Sequence, residues 1–112
     1  MLNETELYYF LDKKVPGLKT RLQAIDDIKS PYKVVSCFGD YTRELIDVAD
    51  ISNTLNCLLL AEYILKEGTD PIKRAITTVF LYSVLRSAAF KKKIIDELPP
   101  LLKKEFKKQL SV

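Results

Sequence analysis

The stretch LNCLLLAEYILKEGTDPIKRAITTVFLYSVLRS at residues 55–87 decides the fold of this chain. Two long apolar segments meet there at the tetrapeptide Gly-Thr-Asp-Pro, which has the form of a helix end followed by a helix start. Gly68 suits the left-handed conformation that often ends a helix, Asp70 is a favoured N-cap, and Pro71 suits a first helical turn. The sequence predicts two consecutive helices, and the second, which runs to about Ser87, has so little polar surface that it must be buried.

The remainder of the chain also reads as helices. Asn3-Glu4-Thr5-Glu6 has the form of a capping box that opens the first helix. The second helix is predicted to end before Ser30-Pro31, because the residue before a proline is disfavoured in a helix. Residues 32–36 are predicted as an extended crossing segment. In the third helix the apolar side chains, with Val48 and Ala49 among them, repeat at helical spacing, and Asp50 or Ser52 caps the fourth. The predicted helices cover residues 3–14, 16–29, 38–49, 53–67, 71–87 and 90–110, the last broken at Pro99-Pro100.

These helices predict an all-α fold and a single domain over residues 1–112. We expect five to six helices in antiparallel hairpins, arranged as a HEAT-like stack or an irregular bundle around the buried fifth helix. Ser83 lies in the apolar arc of that helix, where a small side chain permits close approach of another helix. In the last helix an i, i+4 stripe is predicted to face inward, formed by Leu98, Leu102, Phe106 and Leu110.

The composition narrows the classes of function. The chain has 112 residues, 47% of them hydrophobic and 29% charged, as in ordinary globular domains. It has no histidine and three glycines, which removes the commonest general base and any glycine-rich phosphate loop. Cys37 and Cys57 are predicted to be buried, reduced thiols. We expect no catalytic residues, no metal and no cofactor.

The chain also lacks signals that direct a protein to or through a membrane. Its longest apolar runs are much shorter than a membrane span, and the acidic N-terminus lacks the basic and apolar regions of a signal peptide. We therefore expect a cytoplasmic protein with no transmembrane segment.

Four acidic residues are candidates for binding a protein partner. Asp40, Glu44 and Asp47 lie one turn apart on the third helix, where they form either an acidic ridge or an ordinary solvated face. Glu62 falls between apolar positions of the fourth helix, so its carboxylate needs a partner. Arg74, Arg43 or a tyrosine hydroxyl is predicted to supply it.

Two other features leave alternatives open. Residues 90–112 carry a net charge of +4, so a basic patch on Lys103, Lys104, Lys107 and Lys108 would suit nucleic acid or an anionic surface, or would only solubilise the helix. Leu59 and Leu60 lie outside the apolar arc that faces the core in the fourth helix. If a second copy of the chain covers them, the protein is a homodimer. Tyr63 also lies away from that arc, and exposed tyrosines suit interfaces.

The Phe38-Gly39-Asp40 helix start, Glu62, the turn at Gly68 and the helix beginning at Ala75 together resemble a group of small helical bacterial proteins. Members of this type resemble immunity proteins that accompany polymorphic or contact-dependent toxins. The resemblance implies a helical protein that inhibits a toxin domain by tight one-to-one binding.

The sequence thus favours a non-catalytic protein-binding domain, and the resemblance favours an immunity-type inhibitor of a partner toxin. The alternatives are an adaptor that binds nucleic acid or an anionic surface through the C-terminal lysines, and a small enzyme built on Glu62 with Tyr41 or Arg74.

Overall fold

The chain folds as an all-α protein, as the sequence predicts. A computed structural model describes residues 1–87 and 95–110, with the side chains of 95 and 110 excepted. We number the helices α1 to α6, and α5 is a continuous helix over residues 70–85 whose middle, Ile76–Phe80, has π geometry. The other helices are α1 (Glu4–Lys14), α2 (Lys19–Gln23), α3 (Pro31–Asp47), α4 (Ile51–Glu67) and α6 (Pro100–Leu110).

The N-terminal capping box is confirmed. The Asn3 side chain accepts a hydrogen bond from the Glu6 N–H, and the Glu6 carboxylate accepts one from the Asn3 N–H. Leu2 then pairs with the turn after α4, because its N–H donates to the Glu67 carbonyl at 2.7 Å and its carbonyl accepts from the Thr69 N–H at 3.0 Å. These bonds hold the start of α1 against the end of α4.

The predicted extended segment at residues 32–36 is wrong, because α3 already begins at Pro31. Ser30 is the N-cap, with its hydroxyl accepting from the Lys33 N–H at 3.3 Å, and Pro31 occupies the first turn. A proline excludes helix in the residue before it but is well suited to a first turn itself. The Ser-Pro pair therefore marks a helix start, and the β-branched residues after it are helical because Val34 and Val35 are buried in the core.

The predicted end of the third helix is also wrong. Val48 was expected to face inward but its side chain is 74% exposed, because α3 ends at Asp47. Ala49 adopts a left-handed φ of 59° that lets the chain reverse into α4. Asp50 caps α4 by accepting from the Asn53 N–H, which confirms one of the two caps predicted there.

The turn between α4 and α5 is confirmed as a helix end followed by a helix start. The roles predicted for Gly68 and Asp70 within it are wrong. Gly68 has an ordinary φ of −75°, and Thr69, not Asp70, is the N-cap. Glycine is required at this turn by close packing: a Cβ on Gly68 would lie 2.5 Å from the Ile72 side chain and 2.8 Å from the Ile64 carbonyl oxygen.

The buried position of α5 is confirmed. Ile72, Ile76 and Phe80 are fully buried, and the Phe80 ring packs against Phe38 of α3 with a centroid distance of 5.0 Å. A Cβ on Gly39 would lie 3.0 Å from the Ser83 Cβ, so these two small residues mark the close approach of α3 and α5. Other α5 residues in the core are Ala75, Leu81 and Val84, with Val79 and Leu85 partly buried against it.

The inward stripe of α6 is confirmed for Leu98, Leu102 and Phe106, which are buried. The side chain of Leu110 and the predicted helix at residues 90–94 lie outside the described residues. α6 packs mainly against α4 rather than against α5, its neighbour in the chain. This arrangement does not support a HEAT-like stack of consecutive hairpins, and it leaves α4 bordered by α1 on one side and α6 on the other.

Candidate functional site

The three acids predicted on the third helix each bind another part of the protein. Asp40 accepts a hydrogen bond from the Ser83 hydroxyl at 3.3 Å, and Asp47 accepts one from the Ser87 hydroxyl at 2.6 Å. Asp40 therefore connects α3 to α5, and Asp47 connects α3 to Ser87, which follows α5.

Glu44 forms a bidentate ion pair with Arg21 of α2. The two guanidinium nitrogens lie 2.6 and 2.7 Å from the carboxylate oxygens, and the guanidinium lies 5.5 Å from the centroid of the Tyr41 ring. The hydrogen bond from Arg21 holds the pKa of the Glu44 carboxyl below its usual value. Because both side chains are partly exposed, water screens the pair and it orients α2 more than it stabilises the fold.

Glu62 was predicted to be partly buried and paired, and it is, but the predicted partners are wrong. Its two carboxylate oxygens accept hydrogen bonds from the N–H groups of Leu101 and Leu102, each at 2.9 Å. These N–H groups lie in the first turn of α6, where no carbonyl of the same helix can accept from them. The Glu62 carboxylate thus caps a helix that lies 39 residues further along the chain.

The four acids do not converge on one site. Three lie along α3 and one lies on α4, and each is directed to a different contact. Among the residues that the structure describes, no three His, Cys, Asp or Glu side chains lie close enough together to hold a metal ion.

The basic residues predicted as an alternative patch lie on α6. Lys104, Lys107 and Lys108 are exposed and Lys103 is half-buried. Lys108 lies 3.6 Å from Glu105, and Phe106 is directed into the core rather than toward these lysines. The aromatic side chain of α6 therefore offers no stacking platform for a nucleic-acid base.

An apolar stripe that the sequence pattern does not make evident runs along the outer face of α4. Ile51, Leu55, Leu59 and Tyr63 follow one another at intervals of four residues, so they lie on one side of the helix. Ile51 is 56% exposed, Leu59 60% and Tyr63 48%, while Leu55 is half-buried. We call these four residues the α4 stripe. In the sequence Leu59 and Tyr63 stand out one by one, and their common spacing with Ile51 is the signal that reveals the surface.

A groove of about 490 Å³ lies beside this stripe, between α1 and α4. The Phe10 ring stacks on the Tyr63 ring with a centroid distance of 5.2 Å and an interplanar angle of 16°. This stacking packs the Tyr63 ring against α1, so the two rings form one wall of the groove. The groove is lined by Phe10, Lys14, Asn56, Leu59, Leu60 and Tyr63.

The groove is lined mainly by apolar and aromatic side chains. Among its described lining residues, Lys14 and Tyr63 are titratable, and Glu62, Tyr41 and Arg74 are not among them. Both cysteines are free, and burial raises the pKa of the Cys37 and Cys57 thiols, which disfavours the reactive thiolate. Apolar and aromatic side chains with few charges are instead the composition of a protein interface.

Among the described residues, no helix combines the length and apolar character needed to cross a bilayer. No curated protein and no solved structure matches this chain. A family model described as a domain of unknown function, DUF7674, matches residues 9–111, which include all six helices apart from the first residues of α1. The chain therefore belongs to the DUF7674 family of domains of unknown function.

Proposed function

We propose that this protein is a non-catalytic protein-binding domain and that its binding surface is the outer face of α4 with the adjoining groove. The α4 stripe is the observation that carries this proposal. Ile51, Leu59 and Tyr63 are exposed together along one helix, so the favourable free energy of burying their apolar surface is not gained in the isolated chain. A partner that covers the stripe would gain this free energy on binding.

The side chains that surround the stripe support the same interpretation. The Tyr63 ring already packs on Phe10, so it loses little conformational entropy on binding and suits the core of an interface. The acids predicted as the binding surface have another role. Asp40, Glu44 and Asp47 stabilise contacts of α3 and Glu62 caps α6, so we place partner contact on the stripe rather than on these carboxylates.

An immunity role is one form of this function. It depends on the resemblance to toxin-immunity proteins, and the family match adds no function to it. In that form the α4 face covers part of a toxin domain encoded beside this protein, and the binding is tight and one-to-one.

The test presents the purified protein to the products of the adjacent genes and measures affinity for the wild type, Leu59→Asp and Tyr82→Asp. Tyr82 is a matched control because it is a large, 64% exposed side chain on a different helix, α5. We expect Leu59→Asp to weaken binding at least about ten-fold and Tyr82→Asp to leave it unchanged. Equal affinity of both variants would exclude the α4 face, and no binding to any neighbouring product would remove the immunity form.

A further inference from the structure

We infer that the π turn of α5 is the docking point for the last turn of α6, and that Gln109 couples the docking of α6 to the helical register of α5. This conformational device does not depend on the proposed protein-binding function. The π turn spans Ile76–Phe80, in the middle of the buried helix. The Leu81 N–H donates there to the Ile76 carbonyl, which lies five residues back rather than four.

A π turn holds one residue more than an α-helical turn, and this extra residue leaves a carbonyl without a partner. α-Helical spacing, in which an N–H reaches back four residues, resumes at Leu81–Leu85. When the spacing returns from five to four, one carbonyl is passed over. Thr77 directly follows Ile76, whose carbonyl accepts the five-residue bond, so the Thr77 carbonyl is the one left. Because an unpaired backbone carbonyl away from water is costly, the turn needs a donor from elsewhere.

The Gln109 side chain supplies that donor from α6. Its amide nitrogen donates a hydrogen bond to the Thr77 carbonyl, 32 residues earlier in the chain. Gln109 is half-buried, and Phe106 and Leu102, one and two turns before it, are buried in the core. α6 is thus held by a polar contact at each end, since Glu62 accepts from its first turn and Gln109 donates from its last.

Two threonine hydroxyls support the π turn from within α5. The hydroxyls of Thr77 and Thr78 both donate to the Arg74 carbonyl, at 3.2 and 2.7 Å. Bonds of this kind compete with the backbone N–H groups for the carbonyl, and they weaken and bend an α-helix. Three side chains therefore stabilise the π turn, two from α5 itself and Gln109 from α6.

The extra residue decides which side chain of α5 faces α3. Ser83 lies there against Gly39, where an added Cβ would already come within 3.0 Å of the Ser83 Cβ. With regular α geometry at residues 76–80, the later part of α5 would be displaced by one position, or about 100° around the helix axis. Tyr82 would then take the place of Ser83, and its ring does not fit against Gly39. The π turn therefore permits the close approach of α3 and α5, and Gln109 links α6 to that contact.

The experiment uses the full chain and follows thermal denaturation by circular dichroism. Deletion of Thr78 removes the extra residue, so that α5 becomes a regular α-helix with Ser83 still against Gly39. We expect this variant to fold cooperatively. Deletion of Asn56, an exposed residue in the regular middle of α4, rotates the buried side chains that follow it out of register and is expected to abolish the cooperative transition.

A substitution at Gln109 then tests the coupling. In the wild-type background Gln109→Ala removes the donor and is expected to lower Tm by about 5 °C. Lys104→Ala, at an exposed position of the same helix, should change Tm by less than about 2 °C. In the chain that lacks Thr78 no carbonyl is passed over, so Gln109→Ala should also change Tm by less than about 2 °C there.

Amide hydrogen exchange gives a readout that does not depend on the deletions. Gln109→Ala is expected to speed exchange of the Leu81 amide, which forms the five-residue bond, about five-fold relative to the Leu58 amide of α4. An unchanged ratio would overturn the inference. So would a Thr78 deletion that unfolds the chain as the Asn56 deletion does, or a Gln109→Ala effect of equal size with and without Thr78.

Discussion

The Glu62 carboxylate on α4 accepts hydrogen bonds from the N–H groups of Leu101 and Leu102, each at 2.9 Å, and so fixes the first turn of α6. The cap holds α6 against one side of α4. On the other side, Phe10 stacks on Tyr63 and holds α1 there. The outer face of α4 is therefore framed by two fixed helices, which is the physical basis of a defined binding surface.

Glu62→Ala is expected to destabilise the fold by about 1–3 kcal/mol, because it leaves two helix N–H groups without their charged acceptor. Glu62→Gln retains one acceptor oxygen and should cost less. Urea denaturation followed by circular dichroism measures both. Glu105→Ala is the control, since it removes only the weak ion pair with Lys108 at 3.6 Å. A Glu62→Ala protein as stable as the wild type would contradict the capping role.

Ala49→Gly is expected to stabilise the protein by about 0.5–1 kcal/mol. Ala49 has a φ of 59°, a region that glycine enters without the steric cost that a Cβ imposes. Ala24→Gly is a matched control at the end of α2, where φ is −81° and glycine only adds flexibility to the unfolded chain, so that change should destabilise. Thermal denaturation compares the two. A loss of stability in Ala49→Gly would be inconsistent with a strained turn.

The Arg21–Glu44 pair should make a small, pH-dependent contribution to stability. The pKa of Glu44 is lowered in the folded state, so the contribution is complete above the ordinary glutamate pKa of about 4.3 and is lost as the pH falls through the folded-state value. We expect Glu44→Gln to cost less than about 1 kcal/mol at neutral pH, since both side chains are partly exposed. The difference from the wild type should shrink at about pH 3. A difference that grows in acid would have the wrong sign.

The two thiols should react at different rates. Burial raises the pKa of both, but Cys57 is 2% exposed whereas Cys37 is only half-buried. Since the thiolate is the reacting form, a colourless disulfide reagent that releases a chromophore should modify Cys37 first and Cys57 only as the protein unfolds. Cys37→Ser should remove the fast phase. A fast phase that survives in Cys37→Ser would contradict this order.

Local signals predicted much of the fold. Asn3 and Glu6 formed the predicted capping box, the apolar circumference of α5 predicted its burial, and Ser83 marked the close approach of α3 to α5. The wrong predictions fall at residue types that occur for two different structural reasons. Pro31 was interpreted as a helix end although it is a helix start, and Gly68 was given a left-handed conformation although close packing is what requires it.

The site was less predictable because it depends on which helices come together. The sequence shows that the Glu62 carboxylate needs a partner. The N–H groups that donate to it belong to α6, beginning 39 residues away, and no local pattern reveals them. The α4 stripe was hidden for a different reason. α4 is apolar on nearly every side, so periodicity alone could not separate the side that packs on α5 from the side that Ile51 and Leu59 leave exposed.

The most direct test of the account is NMR of methyl-labelled protein titrated with the products of the adjacent genes. The central claim is that the outer face of α4 binds another protein. We therefore expect the methyl signals of Ile51, Leu55 and Leu59 to shift as the partner is added, while those of the buried Ile72 and Ile76 stay constant. Stripe signals that do not change when a bound partner is present, or changes confined to Leu102 of α6, would contradict it.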